Sequence, residues 1–470
     1  MMLFDNVYPV TCHTDHVGQG STFVAIKGNN LDGAQFIDAA IEKGATTIVI
    51  EKGTILNQQP KINYVFVDDC RTSLSEMAAQ KLGNPAEKLK IIGITGTCGK
   101  TTTSYLIEHI LKKAGHKTAL LGSIKNKILD EQEDVLLTTQ SSDYIQMFLA
   151  ECVKRGVEYV VMEVSSHGLA LKRTHCLQFE AAGFTNLSRE HMDFHPTLDN
   201  YFQTKFQIFD QVKTSGAAVI NTDDEWGKKA HQLLENKKYN FSKFGFGQKH
   251  SPESKISIIQ NDLNMLRFQI TGFDLTLNTQ HLLGDFNAYN ITMASLICKS
   301  LGLSEKKIVT GISSFKGVPG RLQCHKLKNG AMAFVDYAHK PDAMEKVLKT
   351  LRPQTDHLIV VFGCGGNRDK TKRSVMGLCA ANYADQIIIT DDNPRDEDRQ
   401  VIVDEIMAGI PEIKKSCTQC ILDRASAIKT AAQISNPNSI IALLGKGHEN
   451  YYLIKGKKHH FDDFEEINKY

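Results

Sequence analysis

The sequence predicts an α/β protein with three domains, of which the central one is built on a mostly parallel sheet and the last on a doubly wound sheet. A glycine-rich loop at residues 93–103 lies between an apolar strand and a helical pattern. Strands and helices alternate along the last third of the chain, which is typical of a doubly wound sheet. The length of 470 residues corresponds to about three domains of ordinary size.

The first domain is predicted to span residues 1–88. Its strands and helices alternate until Gly83-Asn84-Pro85, where glycine and proline interrupt a helix. The predicted strands are 22–26, 46–50 and 64–67, and the predicted helices are 34–43 and 73–82.

The central domain, predicted over residues 89–322, opens on a phosphate-binding loop. Its glycines let backbone amides turn towards an anion, and the following helix adds the positive end of its dipole. Lys100 would reach the outer phosphates of a nucleotide, and the Thr101 hydroxyl would bind Mg²⁺. The glycine spacing departs from the strict pattern, so the loop is a variant. The alternative, a glycine-rich turn with a surface lysine, is disfavoured by the order of strand, loop and helix.

Further apolar segments of the central domain predict a parallel sheet with helices on both faces. These strands are 89–94, 119–121, 159–164, 182–185 and 217–220. The third domain, predicted over residues 323–470, resembles a Rossmann-type doubly wound sheet in its alternation. Its predicted strands are 332–335, 357–362, 386–390 and 439–444, and its helices are 342–351, 371–383, 401–409 and 423–434.

Composition is typical of a soluble globular enzyme, with 41% hydrophobic and 23% charged residues. A net charge of +2 predicts neither a nucleic-acid nor an acidic-membrane partner. The sequence has no apolar run long enough to span a bilayer and begins without a signal-peptide pattern, so we expect a cytoplasmic protein. Eleven scattered cysteines predict free thiols. The single Cys417-x-x-Cys420 lacks the second half of a zinc site.

Two polar segments follow strands of the central domain. In the first, Glu163 stands at the carboxyl end of its strand, where a carboxylate can complete the coordination of a loop-bound Mg²⁺. A salt-bridged surface acid is the alternative. In the second, His191 and Lys205 follow the next strand end. Ligands gather at such strand ends in parallel sheets.

These segments together resemble the Mur ligases, the ATP-dependent amide-forming enzymes of peptidoglycan synthesis. The resemblance extends over nearly the whole chain, in the order of the family's motifs. The matching segments are 95–102, 163–167, 186–193, 221–224, 284–290, 319–321 and 336–339. The resemblance implies an N-terminal UDP-binding domain, a central ATP-binding domain and a C-terminal amino-acid-binding domain.

The resemblance implies a two-step reaction, in which ATP phosphorylates a carboxylate and an amine then displaces phosphate. The residues implied in ATP binding are Gly96, Thr97, Gly99, Lys100, Thr101, Thr102, Asn287, Asn290, Arg321 and Asp336. Catalysis is assigned to Lys100, His191, Lys205 and Arg321, and Mg²⁺ to Thr101, Glu163, His191 and Lys205. By the same resemblance Lys205 carries a CO₂-derived carbamate, which replaces a cation by an anion beside the metal. An exposed helix lysine is the alternative.

The segment Asp391-Asp392-Asn393-Pro394-Arg395 resembles the signature of family members that add meso-diaminopimelate, whereas lysine-adding members generally lack the arginine. A guanidinium offers bidentate hydrogen bonds to the second carboxylate of diaminopimelate and disfavours a cationic side chain. Two further loops after strands, 362–370 and 445–449, resemble partners of this segment. The implied amino-acid-binding residues are Arg368, Asp392, Asn393, Arg395, Gly445 and Glu449.

The implied acceptor is UDP-N-acetylmuramoyl-L-alanyl-D-glutamate. Its expected contacts are Thr14, Thr138, Thr139, Ser141, Ser166 and Arg173. The first domain departs from the family at Asp15, where a cation is usual, and at Asn29-Asn30, where a histidine is often seen. We therefore expect an altered contact with the UDP group.

Alternatives remain within and outside this family. A lysine-adding member, MurF and folylpolyglutamate synthetase share the mechanism, but the last two do not explain Arg395 together with Glu449. A nucleotide-binding switch protein belongs to another class. The Asn-Lys-x-Asp base-reading motif of a GTPase is missing, because Asn126-Lys127 is not followed by the acid. We expect a monomer that acts on small molecules.

Overall fold

The computed structural model describes residues 3–28, 31–55, 57–135, 137–237, 239–249 and 253–470. They form two compact units. The first comprises Met1–Ser257, Ile270–Thr276 and Tyr289–Ile312, and the second Ile258–Gln269, Leu277–Ala288 and Ser313–Tyr470. The predicted domain boundaries after residues 88 and 322 stay predictions. Asn29 and Asn30 lie outside the described residues. Within the ranges given above, no helix is both long and apolar enough to cross a membrane.

The first unit begins with a four-stranded sheet. Its strands are β1 (Val10–Thr11), β2 (Thr22–Val24), β3 (Thr47–Glu51) and β4 (Asn63–Val67), and its helices are α1 (Ile37–Glu42) and α2 (Cys70–Lys81). The strands pair in parallel in chain order. Short 3₁₀ turns lie at Thr14–His16, Gly33–Phe36 and Pro85–Lys88. The predicted helix 34–43 therefore begins as a 3₁₀ turn and becomes an α-helix only at Ile37.

The first unit also contains the large central sheet. Its strands are β5 (Lys90–Thr95), β6 (Thr118–Leu121), β7 (Lys125–Ile128), β8 (Glu131–Asp134), β9 (Tyr159–Glu163), β10 (Phe179–Phe184), β11 (Val212–Asn221) and β12 (Ser242–Gly247). Strand β13 (Ser254–Asn261) begins in the first unit and ends in the second. From β12 the strand order is β12-β11-β10-β5-β9-β6-β7-β8, parallel except at β7 and β8. Because β5 lies between β10 and β9, the three loops at their carboxyl ends are neighbours.

Helices flank this sheet. They are α3 (Lys100–Lys113), α4 (Ser142–Lys154), α5 (Ser166–Ala170), α6 (Leu198–Phe206), α7 (Glu225–Asn236), α8 (Asp285–Ser300) and α9 (Glu305–Ser314), with a 3₁₀ turn at Gln207–Gln211. Strands β14 (Leu266–Ile270) and β15 (Leu277–Thr279) pair antiparallel. Strand β5 is buried along all but its first residue, which explains its continuous apolar run.

The second unit contains a six-stranded sheet and a hairpin. The sheet strands are β16 (Gln323–Lys326), β17 (Met332–Asp336), β18 (His357–Phe362), β19 (Gln386–Ile389), β20 (Thr418–Cys420) and β21 (Ser439–Leu444), and the hairpin strands are β22 (Tyr451–Ile454) and β23 (Lys457–His460). The helices are α10 (Pro341–Leu351), α11 (Lys372–Tyr383), α12 (Arg399–Met407), α13 (Glu412–Lys415), α14 (Arg424–Ile434) and α15 (Asp463–Ile467), with a 3₁₀ turn at Arg352–Gln354.

The order of this sheet is β16-β17-β21-β18-β19-β20, antiparallel only at β16. Alternate residues of its strands enter two separate apolar cores: Val360 and Ala442 pack on one face, Ile359 and Ile441 on the other. A sheet covered on both faces is the doubly wound arrangement that the alternating sequence predicts. The α/β fold class is confirmed.

Candidate active site

The phosphate-binding loop connects β5 to α3 and depends on two glycines. Gly96 has φ +140° and Gly99 has φ +89°, values that side-chain-bearing residues rarely adopt. A Cβ atom on Gly96 would collide with the Thr185 hydroxyl, and one on Gly99 with the Asn290 amide oxygen. Only glycine fits at either position. The backbone conformation that these glycines allow lets the loop present its amides to an anion.

The loop is held by the segment that follows β10. The Thr97 amide donates to the Asn186 carbonyl at 2.8 Å, and the Cys98 amide donates to Asn186 Oδ1 at 3.0 Å. The Ser188 amide donates to Thr97 Oγ1 at 3.0 Å. Asn186 was not among the predicted site residues, because a single asparagine after a strand carries no distinguishing signal until the neighbouring loop is known.

Lys100 folds back over the loop. Its Nζ donates to the carbonyls of Gly96 at 2.8 Å and of Thr97 at 2.9 Å. The ammonium group thus lies at the mouth of the backbone cradle, where a phosphate would meet it. Thr102 is buried in the first turn of α3.

Glu163 ends β9 and is fully buried, so the alternative of a surface acid is wrong. The Thr101 hydroxyl donates to Glu163 Oε2 at 3.0 Å. Ser123 donates its amide to Oε1 at 2.8 Å and its hydroxyl to Oε2 at 2.9 Å. Ser123 is a site residue that sequence reasoning missed, because it lies forty residues from Glu163 and only the pairing of β6 with β9 brings it there.

The oxygen atoms of Thr101 and Glu163 match the ligands that Mg²⁺ prefers. Across the described ranges, no three His, Cys, Asp or Glu side chains converge in a cluster that could hold a metal. The donor set therefore fits an ion that takes one or two protein oxygens and completes its shell with phosphates and water, as Mg²⁺ does in nucleotide sites.

Lys205, on α6, is 1% exposed, so the alternative of an exposed helix lysine is wrong. Its Nζ donates to the Gly96 carbonyl at 2.9 Å and lies 4.7 Å from the centre of the Tyr201 ring. Burial, followed by the positive charge of Lys100, lowers the pKa of Lys205 well below its ordinary value. A lowered pKa favours the neutral amine, which is the form that is nucleophilic towards CO₂, so the residue fits carbamate formation.

His191 lies beside these two lysines. Its Nε2 is 3.1 Å from Glu190 Oε1, and its backbone has φ +57°. Burial, then the charges of Lys205 and Lys100, lowers the pKa of His191 to about 4. The His167 ring meets it edge-on with 4.8 Å between ring centres. His191 is therefore neutral near pH 7 and can offer a lone pair to a metal.

Four of the predicted acceptor-binding residues lie near the carboxyl end of β9. They are Thr138, Thr139, Ser166 and Arg173. Arg173 Nη1 donates to the Thr139 carbonyl at 2.6 Å, and Thr139 Oγ1 donates to the Glu163 carbonyl at 2.9 Å. Thr138 Oγ1 accepts from Ser123 Oγ at 3.1 Å. Among the described residues, the buried Ser166 hydroxyl has no hydrogen-bond partner. Ser141 precedes α4 without capping it through its side chain.

Thr14 lies in the N-terminal sheet region, in the turn Thr14–His16. Within the described residues, no hydrogen bond joins it to the four acceptor-binding residues near the carboxyl end of β9. Lys43 Nζ donates to the Thr14 carbonyl at 3.0 Å and lies 3.4 Å from Asp15 Oδ1. The negative charge of Asp15, which departs from the family pattern, is thus offset by a nearby lysine.

In the second unit, three loops meet at the carboxyl ends of β18, β19 and β21. Asn393 Nδ2 donates to Glu449 Oε2 at 2.8 Å. Gly445 has φ +111°, and a Cβ there would lie 3.0 Å from Asp392 Oδ2. Burial and the Asp392 carboxylate raise the pKa of Glu449, whereas Lys446, Asn393 and Arg395 oppose this.

Arg395 has a left-handed backbone, with φ +53°. Its Nη1 donates to the Gly366 carbonyl at 2.8 Å. A Cβ on Gly365 would lie 2.8 Å from Arg395 Nη1 and 3.8 Å from Arg368 Cγ. The structure therefore brings the two predicted carboxylate-binding arginines to one loop.

The remaining predicted ATP-binding residues fall in both units. Asn290 contacts the phosphate loop in the first unit, and Asn287 donates to the Leu283 carbonyl at 2.7 Å in the second. Asp336 accepts the Leu322 and Ala338 amides at 2.7 and 2.8 Å. The Arg321 guanidinium stacks 4.7 Å above the Tyr337 ring. Through these two hydrogen bonds, Asp336 stabilises the segment that carries Arg321.

Comparison with known protein families matches three profiles along the chain. Residues 6–82 match the Mur ligase family catalytic domain, residues 94–298 the Mur ligase middle domain, and residues 320–447 the Mur ligase glutamate ligase domain. These three matches follow the order of the predicted domains.

Curated relatives match over the full length. A UDP-N-acetylmuramoyl-L-alanyl-D-glutamate–2,6-diaminopimelate ligase of Parabacteroides distasonis is 36% identical, over 100% of this chain and 96% of that protein. The ligase of the same name from Aquifex aeolicus is 38% identical, over 99% and 94%. A solved structure of a ligase with this name superposes with a TM-score of 0.70 at 31% identity, covering 98% of this chain and 94% of that one.

More distant structures share the fold. MurF from Thermotoga maritima, solved with ADP, has a TM-score of 0.66 at 20% identity, over 93% of this chain and 94% of that one. Folylpolyglutamate synthase from the same organism has a TM-score of 0.61 at 18% identity, over 80% and 90%.

Proposed function

The chain belongs to the Mur ligase family, and we propose that it joins meso-2,6-diaminopimelate to UDP-N-acetylmuramoyl-L-alanyl-D-glutamate with ATP. The observation that carries this proposal is the cluster of Asn393, Arg395 and Glu449 at one sheet edge of the second unit. It offers a guanidinium and a carboxylate together, which suits an amino-acid centre bearing both a carboxylate and an ammonium group.

ATP would bind at the loop between β5 and α3. The backbone amides of that loop and the Lys100 ammonium would receive phosphate oxygens. Thr101 and Glu163 would hold one Mg²⁺, and His191 a second. When bound, Mg²⁺ neutralises the charge that develops on the phosphates.

Lys205 is proposed to carry the carbamate. Its neutral amine attacks CO₂ at carbon, loses a proton, and becomes an N-carboxylate with two oxygen atoms. Support comes from its complete burial and from the neighbouring Lys100, which penalises a second cation. A carbamate there would provide oxygen ligands for the metal instead of repelling it.

The acceptor would place its terminal carboxylate near the metal. Thr139, Ser166 and Arg173 line that region, and the unsatisfied Ser166 hydroxyl suits a sugar or peptide oxygen. The carboxylate takes the γ-phosphoryl group, the amine of diaminopimelate attacks the acyl carbon, and phosphate leaves as the amide forms. Because the reaction draws on ATP and small metabolites, we place it in the cytoplasm. The monomeric state stays a prediction.

A phosphate-release assay with the dipeptide acceptor and a panel of amino acids tests the proposal. We expect meso-diaminopimelate to give the highest kcat/KM, with release dependent on both acceptor and amino acid. In Arg395→Met this kcat/KM should fall by about 100-fold, because a charge-assisted pair to a carboxylate is lost. The exposed Arg267→Met variant is the matched control. Lysine outperforming diaminopimelate, or amine-independent phosphate release, would contradict the proposal.

A further inference from the structure

Lys446 lies in the loop after β21, between Gly445 and Gly447. Its side chain is fully buried, although lysine is among the residues least often buried. Burying an ammonium group is costly unless partners surround it. The partners of Lys446 include two residues of the proposed amino-acid site, Asn393 and Glu449.

The Lys446 ammonium joins three segments of the second unit. Its Nζ donates to the Tyr451 carbonyl at 2.6 Å, at the start of the hairpin β22–β23. It lies 3.4 Å from Asn393 Oδ1, in the loop after β19, and 3.6 Å from Glu449 Oε2, in its own loop. The Tyr452 ring covers it, with 4.8 Å from Nζ to the ring centre.

These contacts set the orientation of the Asn393 amide. Asn393 Oδ1 accepts from both Lys446 Nζ and the Leu453 amide, the latter at 2.9 Å. With its oxygen turned towards two donors, the amide turns Nδ2 towards Glu449, to which it donates at 2.8 Å. The ammonium therefore fixes the positions of two residues that are proposed to bind diaminopimelate.

Lys446 also sets the charge of the site. Asp392 and Glu449 bring two carboxylates together, and the Asp392 charge raises the pKa of Glu449. Lys446 and Arg395 are the cations that act against this effect on the same carboxyl group. Burial lowers the pKa of Lys446, but Asp392 and Glu449 counteract this. Around the Glu449 carboxyl group, the charges of Lys446 and Arg395 thus offset those of the two acids, while the predicted carboxylate-binding Arg368 adds a further cation to the wider site.

Near-neutral surroundings of Glu449 distinguish diaminopimelate from lysine by the charge of the ligand's far end. The far centre of diaminopimelate is a zwitterion, whereas the far end of lysine is an ammonium group alone. Removing the Lys446 charge leaves the acids in excess, which favours a cationic ligand end over a zwitterion.

We propose that Lys446 is a positioning and selectivity residue: it holds Asn393 and Glu449 in their binding orientation and balances the acidic pair so that the site prefers a zwitterionic amino-acid centre to a lone ammonium. This inference rests on the proposed function, because it concerns the same amino-acid site.

The test compares Lys446→Met, which keeps the length of the side chain and removes its charge, with the wild-type enzyme. The KM for diaminopimelate should rise about tenfold, and the ratio of kcat/KM for diaminopimelate to that for lysine should fall about tenfold. The KM values for ATP and the acceptor should stay within about twofold, since none of the Lys446 contacts described above involves a residue proposed to bind either of them. Lys414→Met is the matched control, because Lys414 Nζ likewise donates to a carbonyl, that of Ala384, at 2.8 Å.

Lys446→Gln is a second test variant, because the glutamine amide can still donate to the Tyr451 carbonyl but carries no charge. It should retain the wild-type unfolding temperature better than Lys446→Met and show the same fall in selectivity. An unchanged diaminopimelate-to-lysine ratio in a folded variant overturns the inference, as does an equal rise of all three KM values. Failure of both variants to fold also overturns it, because Lys446 would then serve folding alone. If instead the wild-type enzyme does not use diaminopimelate, the result contradicts the proposed function itself, before the role of Lys446 is tested.

Discussion

At the scale of single residues, two lysines share one carbonyl oxygen. Lys100 and Lys205 both donate to the carbonyl of Gly96, at 2.8 and 2.9 Å. A positive charge on both lysines would be unfavourable, because burial of Lys205 removes the water that would screen their repulsion. Conversion of Lys205 into a carbamate would replace this repulsion by attraction. The sequence position of Lys205 suggested the modification by resemblance alone, and its surroundings provide a physical reason for it.

The carbamate predicts a chemical signal that does not depend on activity. Protein equilibrated with ¹³C-bicarbonate should show a carbamate carbon resonance that is lost in Lys205→Ala and Lys205→Arg. Both variants should lose about 100-fold or more in kcat, because an anionic metal ligand is removed. Lys213→Ala is the control, since Lys213 pairs with Glu180 at 3.0 Å in the same unit. Persistence of the resonance without Lys205, or full activity of either variant, would refute the modification.

At the scale of elements, α3 has a left-handed glycine at each end. Gly99 precedes its first turn with φ +89°, and Gly115 follows its last turn with φ +96°. The two sites differ in their surroundings: a Cβ on Gly99 would collide with Asn290, whereas a Cβ on Gly115 meets no atom within 4 Å. The helix itself is anchored by fully buried side chains such as Leu106 and Ile110. Its start is therefore constrained by packing, and its end only by backbone conformation.

This difference predicts unlike effects for two equivalent substitutions. Gly115→Ala should cost about 1–2 kcal/mol of unfolding free energy and leave ATP affinity unchanged. Gly99→Ala should carry a similar conformational cost and also weaken ATP binding by about tenfold or more, because the loop must move to admit the methyl group. Calorimetry with ATP and urea unfolding measure the two quantities. Equal ATP affinities in the two variants would show that the loop tolerates a side chain.

At the scale of the whole molecule, each unit has its own apolar cores, and the second also has a fully buried ion pair. Arg424 and Asp463 join the starts of α14 and α15 at 2.7 Å, both with 0% side-chain exposure. Arg424 also donates to the carbonyls of Asp391 and Leu444, at 3.2 and 3.0 Å. These carbonyls end the strands that carry the amino-acid loops, so the pair links the stability of the unit to the shape of its site.

Removal of one partner should be costly, because it leaves the other charge buried and unpaired. Asp463→Ala should lower the stability of the second unit by about 3–5 kcal/mol. Glu412→Ala, which removes the exposed partner of Lys415, should cost no more than about 1 kcal/mol. Hydrogen exchange of the β21 amides reports the stability of this unit specifically. Similar protection in the two variants would mean that the buried pair contributes little.

Local patterns predicted the buried strands and most of the helices that flank them. Strand β18 was predicted with its observed bounds, because a run of buried apolar residues is a strong signal. Strands β1 and β20 were missed because two or three residues carry no periodicity. The antiparallel strand β8 and the hairpin strand β23 were missed because their mostly exposed polar residues resemble loops.

The sequence by itself determined the fold class, since this depends on short-range patterns of glycine, charge and apolar period. It also predicted the nucleotide loop and, by resemblance, the site residues. Only the tertiary structure decided how those residues are held. Ser123 reaches Glu163, Asn186 supports the phosphate loop, and Lys446 supports Asn393 through contacts between segments that are distant along the chain. Such contacts arise from strand order and packing, which no local pattern encodes.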